Sequence, residues 1–333
     1  MWQRYTYKDT GGNRPYFVYT PVNYQVGTAV PLLVLLHGCS QTALDFATGT
    51  SMNLLAEQYG FVILYPQQTS RYNQNLCWNW FTPANQSRGS GEPASIVAMI
   101  QAIQQDTTHW TIDPSRICVA GLSAGGAMAV ILGATYPDLF AAIGVHAGME
   151  YQAATNVSSG INAMRRGGPD PLQQGSLAYT AMDSFSRIVP TIVFHGTNDE
   201  VVAPINGDQV IQQWMQTDRL ASNGSYTADF TRPTSITPGQ VPNGRSYTTT
   251  TWNAANGDEV QSYWKIVRMG HAWSGGNLGG SFTDPLGPNA SLAMYNFFMA
   301  HPLSSVHHSV FSHGRLHHIL ADLFNIKRER RRA

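Results

Sequence analysis

A serine, a histidine and a carboxylate can cleave an ester once the chain brings them together. The hydroxyl is a strong nucleophile only beside a base, and the base keeps its working tautomer only beside an acid. Ser123 is the serine that stands out. It lies in Gly121-Leu-Ser-Ala-Gly125, between the apolar run Ile117–Ala120 and the small-residue run Ala127–Ala134. G-x-S-x-G is common by itself and often marks only a glycine-rich turn. Between a short buried strand and a helix it reads as a nucleophile elbow. The two glycines let strand and helix close beside the serine. The turn also sets Ser123 at a helix N-terminus, whose free N–H groups favour developing negative charge.

Eleven histidines compete for the role of base. His271 fits best, because it lies in the glycine-rich stretch Met269-Gly-His-Ala-Trp-Ser-Gly-Gly276, after a strand and before the last helix. From there it can reach across the top of a sheet. His109 sits at a helix end, His146 at a strand end, and His301 onward in the tail. His195 ends a strand and is expected to pack rather than react. For the acid, Asp199 follows the apolar run Thr191–His195 by a tight turn, at the edge where Ser123 emerges. Asp208 is the nearest rival but falls in a helical stretch, and Glu200 points elsewhere if Asp199 is the turn residue. Ser123, Asp199, His271 is the chain order of α/β-hydrolases. An oxyanion hole needs two preorganised N–H donors. The residue after the nucleophile, Ala124, supplies one. The loop after an early strand, His37-Gly-Cys39, supplies the other through the backbone N–H of Cys39, with no role for the thiol.

Elements that can position these groups are legible in order. Tyr16–Thr20 alternates as a strand. Pro31–Leu36 and Phe61–Tyr65 are continuous apolar runs, as in strands buried on both faces. Met52, Leu54, Leu55 and Tyr59 have helical spacing, ended by Gly60. Residues 66–92 form a long loop containing Cys77-Trp-Asn-Trp-Phe81, and so long a loop is more often functional than idle. Helices are expected at Ser95–Thr108, Ile205–Leu220 and Ala290–Met299. Strands are expected at Phe140–Val145, Thr191–His195, Ser246–Trp252 and Glu259–Val267, the last two split by the turn Asn256-Gly-Asp258. Residues 148–189 read as an irregular insertion that could cap a site. Alternating strands and helices imply an α/β fold with a mainly parallel central sheet and helices on both faces.

Composition narrows the function classes. The chain has 333 residues, 43% hydrophobic and only 12% charged, with zero net charge. Typical proteins carry about 25% charged residues. Nothing global points to nucleic acid, and no apolar run reaches the ~18 residues of a membrane span. Charge is uneven: residues 327–332 hold five Lys/Arg and one Glu, leaving 15 basic against 19 acidic residues elsewhere. The first residues, Met-Trp-Gln-Arg-Tyr-Thr-Tyr, contain no apolar signal-peptide core. Three cysteines, Cys39, Cys77 and Cys118, allow at most one intrachain disulfide. No repeat or Gly/Pro-rich linker divides the first 300 residues. One catalytic domain over 1–302 is therefore expected, followed by a basic, His-rich tail over 303–333.

Six stretches together resemble the poly(3-hydroxybutyrate) depolymerase family of esterases, which is related to feruloyl and acetylxylan esterases. They are His37-Gly-Cys-Ser-Gln41, Cys77-Trp-Asn-Trp-Phe81, Asp113-Pro-Ser-Arg116, Gly121-Leu-Ser-Ala-Gly-Gly126, Tyr136-Pro137 and Gly270-His-Ala-Trp-Ser-Gly-Gly276. The resemblance covers roughly residues 1–300. It implies an α/β-hydrolase fold, Ser123, Asp199 and His271 as triad, and neither metal nor cofactor. It also implies a substrate crevice lined by Trp80 and Trp273, and pairing of Cys39 with Cys77. Such a bridge would tie the long loop to the oxyanion strand. Of Trp78 and Trp80, one is expected in the core and one at the site. Cys118, on a buried strand, should behave as a small apolar residue.

In the tail, Leu316, Ile319, Leu320, Leu323 and Phe324 form one helical stripe ahead of the basic cluster. It reads as a helix packed on the domain or a disordered segment, or else as an interfacial helix touching a membrane, polymer surface or acidic partner. His307, His308, His313, His317 and His318 cluster there, but no carboxylate or cysteine completes a metal site. The function expected is a serine carboxylesterase acting on a polyhydroxyalkanoate-type polyester or its oligomers. The alternatives are a feruloyl- or acetylxylan-type esterase, or an acyltransferase on the same scaffold. An extracellular or periplasmic location is expected from the disulfide and the lysine-poor composition, with the cytoplasm as the alternative.

Overall fold

Ten strands hydrogen-bond into one sheet, and the chain reaches them in an order that leaves the parallel ones in the middle. The computed structural model describes residues 1–9 and 11–304. Met1–Pro302 make one compact unit and Leu303–Ala333 another. The tail's apolar stripe, histidine cluster and basic run lie outside the described residues.

The elements are β1 (Trp2–Asp9), β2 (Gly12–Tyr19), β3 (Val30–Leu36), α1 (Ala43–Thr50), α2 (Met52–Tyr59), β4 (Val62–Pro66), α3 (Gly91–Gln105), β5 (Ile112–Leu122) and α4 (Ala124–Thr135). There follow β6 (Ile143–His146), α5 (Val157–Arg166), α6 (Pro171–Met182), β7 (Thr191–Gly196), α7 (Ile205–Ala221), β8 (Ser235–Gln240), β9 (Ser246–Asn253) and β10 (Glu259–Ile266). The short β11 (Trp273–Ser274) and β12 (Thr283–Asp284) pair separately, and α8 (Ala290–Ala300) closes the unit. The sheet order is β1-β2-β4-β3-β5-β6-β7-β10-β9-β8. The six central strands run parallel, and antiparallel strands flank them on both sides.

Helices cover both faces, and β6 shows how. A Cβ on Gly144 would press on Met294 and Phe298 of α8, whereas Ile143, one residue away, meets Gly133 of α4 and Trp214 of α7. Successive strand residues point to opposite faces, so α8 and the α4–α7 pair lie on opposite sides. Leu32 to Leu36 of β3 and Ile117 to Ala120 of β5 are almost wholly buried, as expected for central strands with two covered faces.

Residues 148–189 are not irregular. They carry α5 and α6, each started by a polar cap. Asn156 caps α5 in a reciprocal box with Ser159, and Asp170 caps α6 ahead of Pro171. Small residues at the contacts, Gly160 and Ala163 of α5 and Gly175 and Ala178 of α6, hide the apolar periodicity. Five further elements had no expected counterpart: the edge strands β1 and β8, which alternate weakly, the short helix α1, and the two-residue strands β11 and β12.

Candidate active site

Ser123 stands between β5 and α4 with φ 58° and ψ −118°, a conformation costly for a residue with a side chain and typical of strained functional positions. The turn is possible because its neighbours lack side chains. A Cβ on Gly121 would collide with the Gly125 backbone, and one on Gly125 with the carbonyls of Leu36 and His37. The Ser123 N–H donates to the His146 carbonyl at 2.8 Å, which fixes the elbow against the end of β6.

Asp199 sits in the turn after β7, where Gly196 and Asn198 pack on the Met269 carbonyl of the loop carrying His271. The two loops are therefore joined directly. Asp199 Oδ1 accepts the N–H groups of Val201 and Val202 at 2.9 and 2.8 Å. Its Oδ2 accepts from His271 Nδ1 at 2.7 Å. Because a carboxylate accepts, Nδ1 carries the proton and Nε2 is left as a base. Burial pushes the Asp199 carboxyl up, but bonds from His195, His271 and the Val202 N–H more than offset it and hold the group well below the usual carboxylate range.

Ser123 and His271 line one cleft of about 110 Å³ with Gly38 and Cys39. Ser123 Oγ has no hydrogen-bond partner among the described residues. Apolar walls come from Met164 of α5, Val201 beyond Asp199, and Phe282. None of these three was expected from the sequence. Their common signal is a lone apolar residue in a polar or irregular stretch, which looks like any surface hydrophobe. A groove of about 810 Å³ beside α8 is lined by none of Ser123, Asp199 and His271.

The oxyanion loop is held from several directions. Buried His37 donates from Nδ1 to the Gly38 carbonyl at 2.8 Å and accepts the Gln68 N–H on Nε2 at 3.0 Å. Burial lowers its pKa to about 4, so the imidazole stays neutral as those two bonds require. Trp78 Nε1 donates to the His37 carbonyl at 3.0 Å. Gln41 accepts the Gly38 N–H at 2.9 Å and reaches Asp45 and Ser281 with its amide. Cys39 is bridged to Cys77, and Glu92 grips the same long loop through Asn79 and Gln68. With the neighbouring groups so occupied, the N–H groups of Cys39 and Ala124 meet no acceptor among the described residues.

The tryptophan wall needs correcting. Trp80 and Trp273 are 4% and 1% exposed and do not line this cleft. Trp80 packs edge-on against Phe81, beside Gly160 of α5. Trp273 stacks on His146, meets Phe46 edge-on, and donates Nε1 to Ser291 Oγ at 3.0 Å. Trp78 is buried as well. All three act as supports, and the buried indoles of Trp78 and Trp273 find acceptors for their N–H groups. The rival acid Asp208 pairs instead with Lys265 at 2.7 Å. No group of three or more potential metal ligands occurs among the described residues.

The pattern of the family described as esterase PHB depolymerase matches residues 15–235. The chain belongs to this family. Among its relatives, poly(3-hydroxyalkanoate) depolymerase C of Paucimonas lemoignei is 35% identical over 263 residues, 78% of this chain and 58% of that protein. Poly(3-hydroxybutyrate) depolymerase of Ralstonia pickettii is 32% identical over 281 residues, 81% of this chain and 54% of its own length. The chain thus spans little more than half of these two proteins. Feruloyl esterase B of Neurospora crassa is 30% identical over 205 residues, 59% of this chain and 68% of that protein. An acetyl xylan esterase structure from Aspergillus awamori superposes with a TM-score of 0.65 at 24% identity, covering 81% of this chain and 94% of that one. It shares the α/β-hydrolase fold. No described helix is long and apolar enough to cross a membrane.

One buried group near α5 makes a separate prediction. Glu150 is 2% exposed and both its carboxyl oxygens lack a partner. Burial, with the Asp170 charge adding to it, pushes its pKa up to about 8. The folded state therefore holds this proton more tightly than the unfolded chain. Stability is full below the ordinary carboxylate pKa and is lost as pH rises towards about 8, at about 1.4 kcal/mol per unit. Glu150→Gln cannot ionise. Its melting temperature should match the parent at pH 5 and exceed it by on the order of 5 °C at pH 9. Equal gaps at both pH values would refute the assignment.

Proposed function

We propose that this chain is a serine carboxylesterase that cleaves short hydroxyalkanoate esters, as a polyester or its oligomers. The observation that carries the reading is the 2.7 Å Asp199–His271 bond beside a cleft shared with an elbow serine and two unclaimed N–H groups. Ser123 Oγ attacks the ester carbonyl as His271 Nε2 takes its proton. The new oxyanion lies against the Cys39 and Ala124 N–H groups, and Asp199 stabilises the imidazolium. Collapse breaks the bond to the alcohol oxygen, which leaves with the proton from His271. Water, deprotonated by the same nitrogen, then attacks the acyl-enzyme and releases the acid. No step calls on a metal or cofactor.

The cleft supports a small acyl group. Its apolar walls at Met164, Val201 and Phe282 suit a short aliphatic unit. Family membership and the two depolymerase relatives favour the polyester substrate. The Cys39–Cys77 bridge suits an oxidising compartment, so we infer an extracellular or periplasmic enzyme. Rates on soluble 3-hydroxybutyrate trimer, acetylated xylan and methyl ferulate, measured side by side, test the reading. The trimer should be cleaved fastest and the ferulate slowest. A ferulate rate higher by orders of magnitude would sink the proposal, and preference for acetylated xylan would move the substrate to polysaccharide.

A further inference from the structure

His195 was expected to be a packing residue, and it is 1% exposed at the end of β7. Its surroundings are not those of a simple core histidine. Nε2 lies 2.9 Å from the Val202 carbonyl and 3.5 Å from Asp199 Oδ2. A carbonyl only accepts, so Nε2 carries the proton, and that proton also faces the oxygen that holds His271. Nδ1 is buried without a partner, as is the Tyr263 hydroxyl nearby. Both stand over Gly207 of α7, where a Cβ would come within 2.8 Å of Nδ1 and still closer to the hydroxyl. The glycine thus leaves the space that the imidazole occupies. The other titratable groups around His195 are His146 on β6, Tyr263 and Lys265 on β10, Asp208 of α7 beside Gly207, and Asp199 and His271 in the loops.

We propose that His195 is a positioning residue for the reaction, an N–H donor that staples the Asp199–Val202 turn and draws on the charge of Asp199 Oδ2. The inference rests on the triad reading above. Two effects follow. The turn is pinned from both sides, since Asp199 Oδ1 holds the Val201 and Val202 N–H groups while His195 holds the Val202 carbonyl. The donor also competes with His271 for the carboxylate, which weakens its hold on the imidazolium.

The experiment compares His195→Phe, which keeps the ring volume but loses the donor, with His195→Gln, whose amide nitrogen can reach the place of Nε2. Steady-state rates on a chromogenic butyrate ester are taken from pH 4 to 9, with melting temperatures alongside. His195→Phe should lower kcat by about 10- to 100-fold, the worth of a bond to a charged group, with little change in KM. The acid limb of its kcat/KM profile should move to higher pH by on the order of half a unit. His195→Gln should recover most of the rate and return the limb. A limb unmoved in both variants, whatever the loss of rate or melting temperature, overturns the proposal and leaves His195 a packing residue. If His195→Phe does not fold, the decision rests on the glutamine: parental limb and rate support the donor role, and a low rate in a folded His195→Gln overturns it. Failure of the triad reading itself is seen separately, as activity that survives loss of Ser123.

Discussion

Ser123→Ala should fold as the parent does and lose about 10⁶-fold in kcat on any ester. The fold should survive because Ser123 Oγ has no partner to lose among the described residues, and alanine occupies the same strained φ of 58° at no greater cost. The backbone bond from position 123 to the His146 carbonyl is kept. The rate should fall so far because attack by a positioned hydroxyl is the step that all the other groups serve. Without it, His271 and the oxyanion N–H groups can assist only water, which leaves a residual ~10³–10⁴-fold over the uncatalysed reaction. The check is kcat on a chromogenic short-chain ester, with the melting temperature held within about 2 °C of the parent as proof of folding. Activity within tenfold of the parent, in a preparation free of contaminating esterase, would remove Ser123 from the mechanism.

Asp199→Asn is the second large effect, about 10⁴-fold in kcat with little change in KM. The swap is isosteric, and asparagine's oxygen can still accept the Val201 and Val202 N–H groups. Its NH₂ would then face His271 Nδ1, where the carboxylate now accepts at 2.7 Å. Two donors cannot share that line, so the imidazole must carry its proton on Nε2 and cannot take one from Ser123. The acid limb offers an independent check. The folded Asp199 carboxyl titrates well below the usual range, so its stabilising contribution is present above its unfolded pKa and is lost only as pH falls through that low value. Protonation of Asp199 should therefore not limit activity until pH falls well below the usual carboxylate range. A kcat for Asp199→Asn within tenfold of the parent would point to Asp208 or another acid.

The elbow was legible because its physics is local. Only glycine fits at 121 and 125, and the flanking runs fall on β5 and α4. The neighbours of Asp199 and His271 could be ranked by their place after a strand, and the structure brings those two together. The cleft walls were not legible, because Met164, Val201 and Phe282 come from three segments with no shared pattern. Tryptophans misled for a related reason. Trp78, Trp80 and Trp273 lie in motifs beside the site, and sequence cannot say which way an indole turns. His195 was read as packing, since nothing in a strand's last residue tells that its Nε2 faces the carboxylate four positions on. Helices α5 and α6 were hidden by small contact residues, and their caps were the only local sign.

The strand order has a consequence for how activity arises in time. Cys39 follows β3, Ser123 follows β5, Asp199 follows β7 and His271 follows β10, and β10 joins β7 only after the intervening α7, β8 and β9 have been made. Each pairing closes a long loop, and such non-local contacts form slowly. No early fragment holds all four groups. A refolding chain should therefore show no turnover before β7 and β10 have paired.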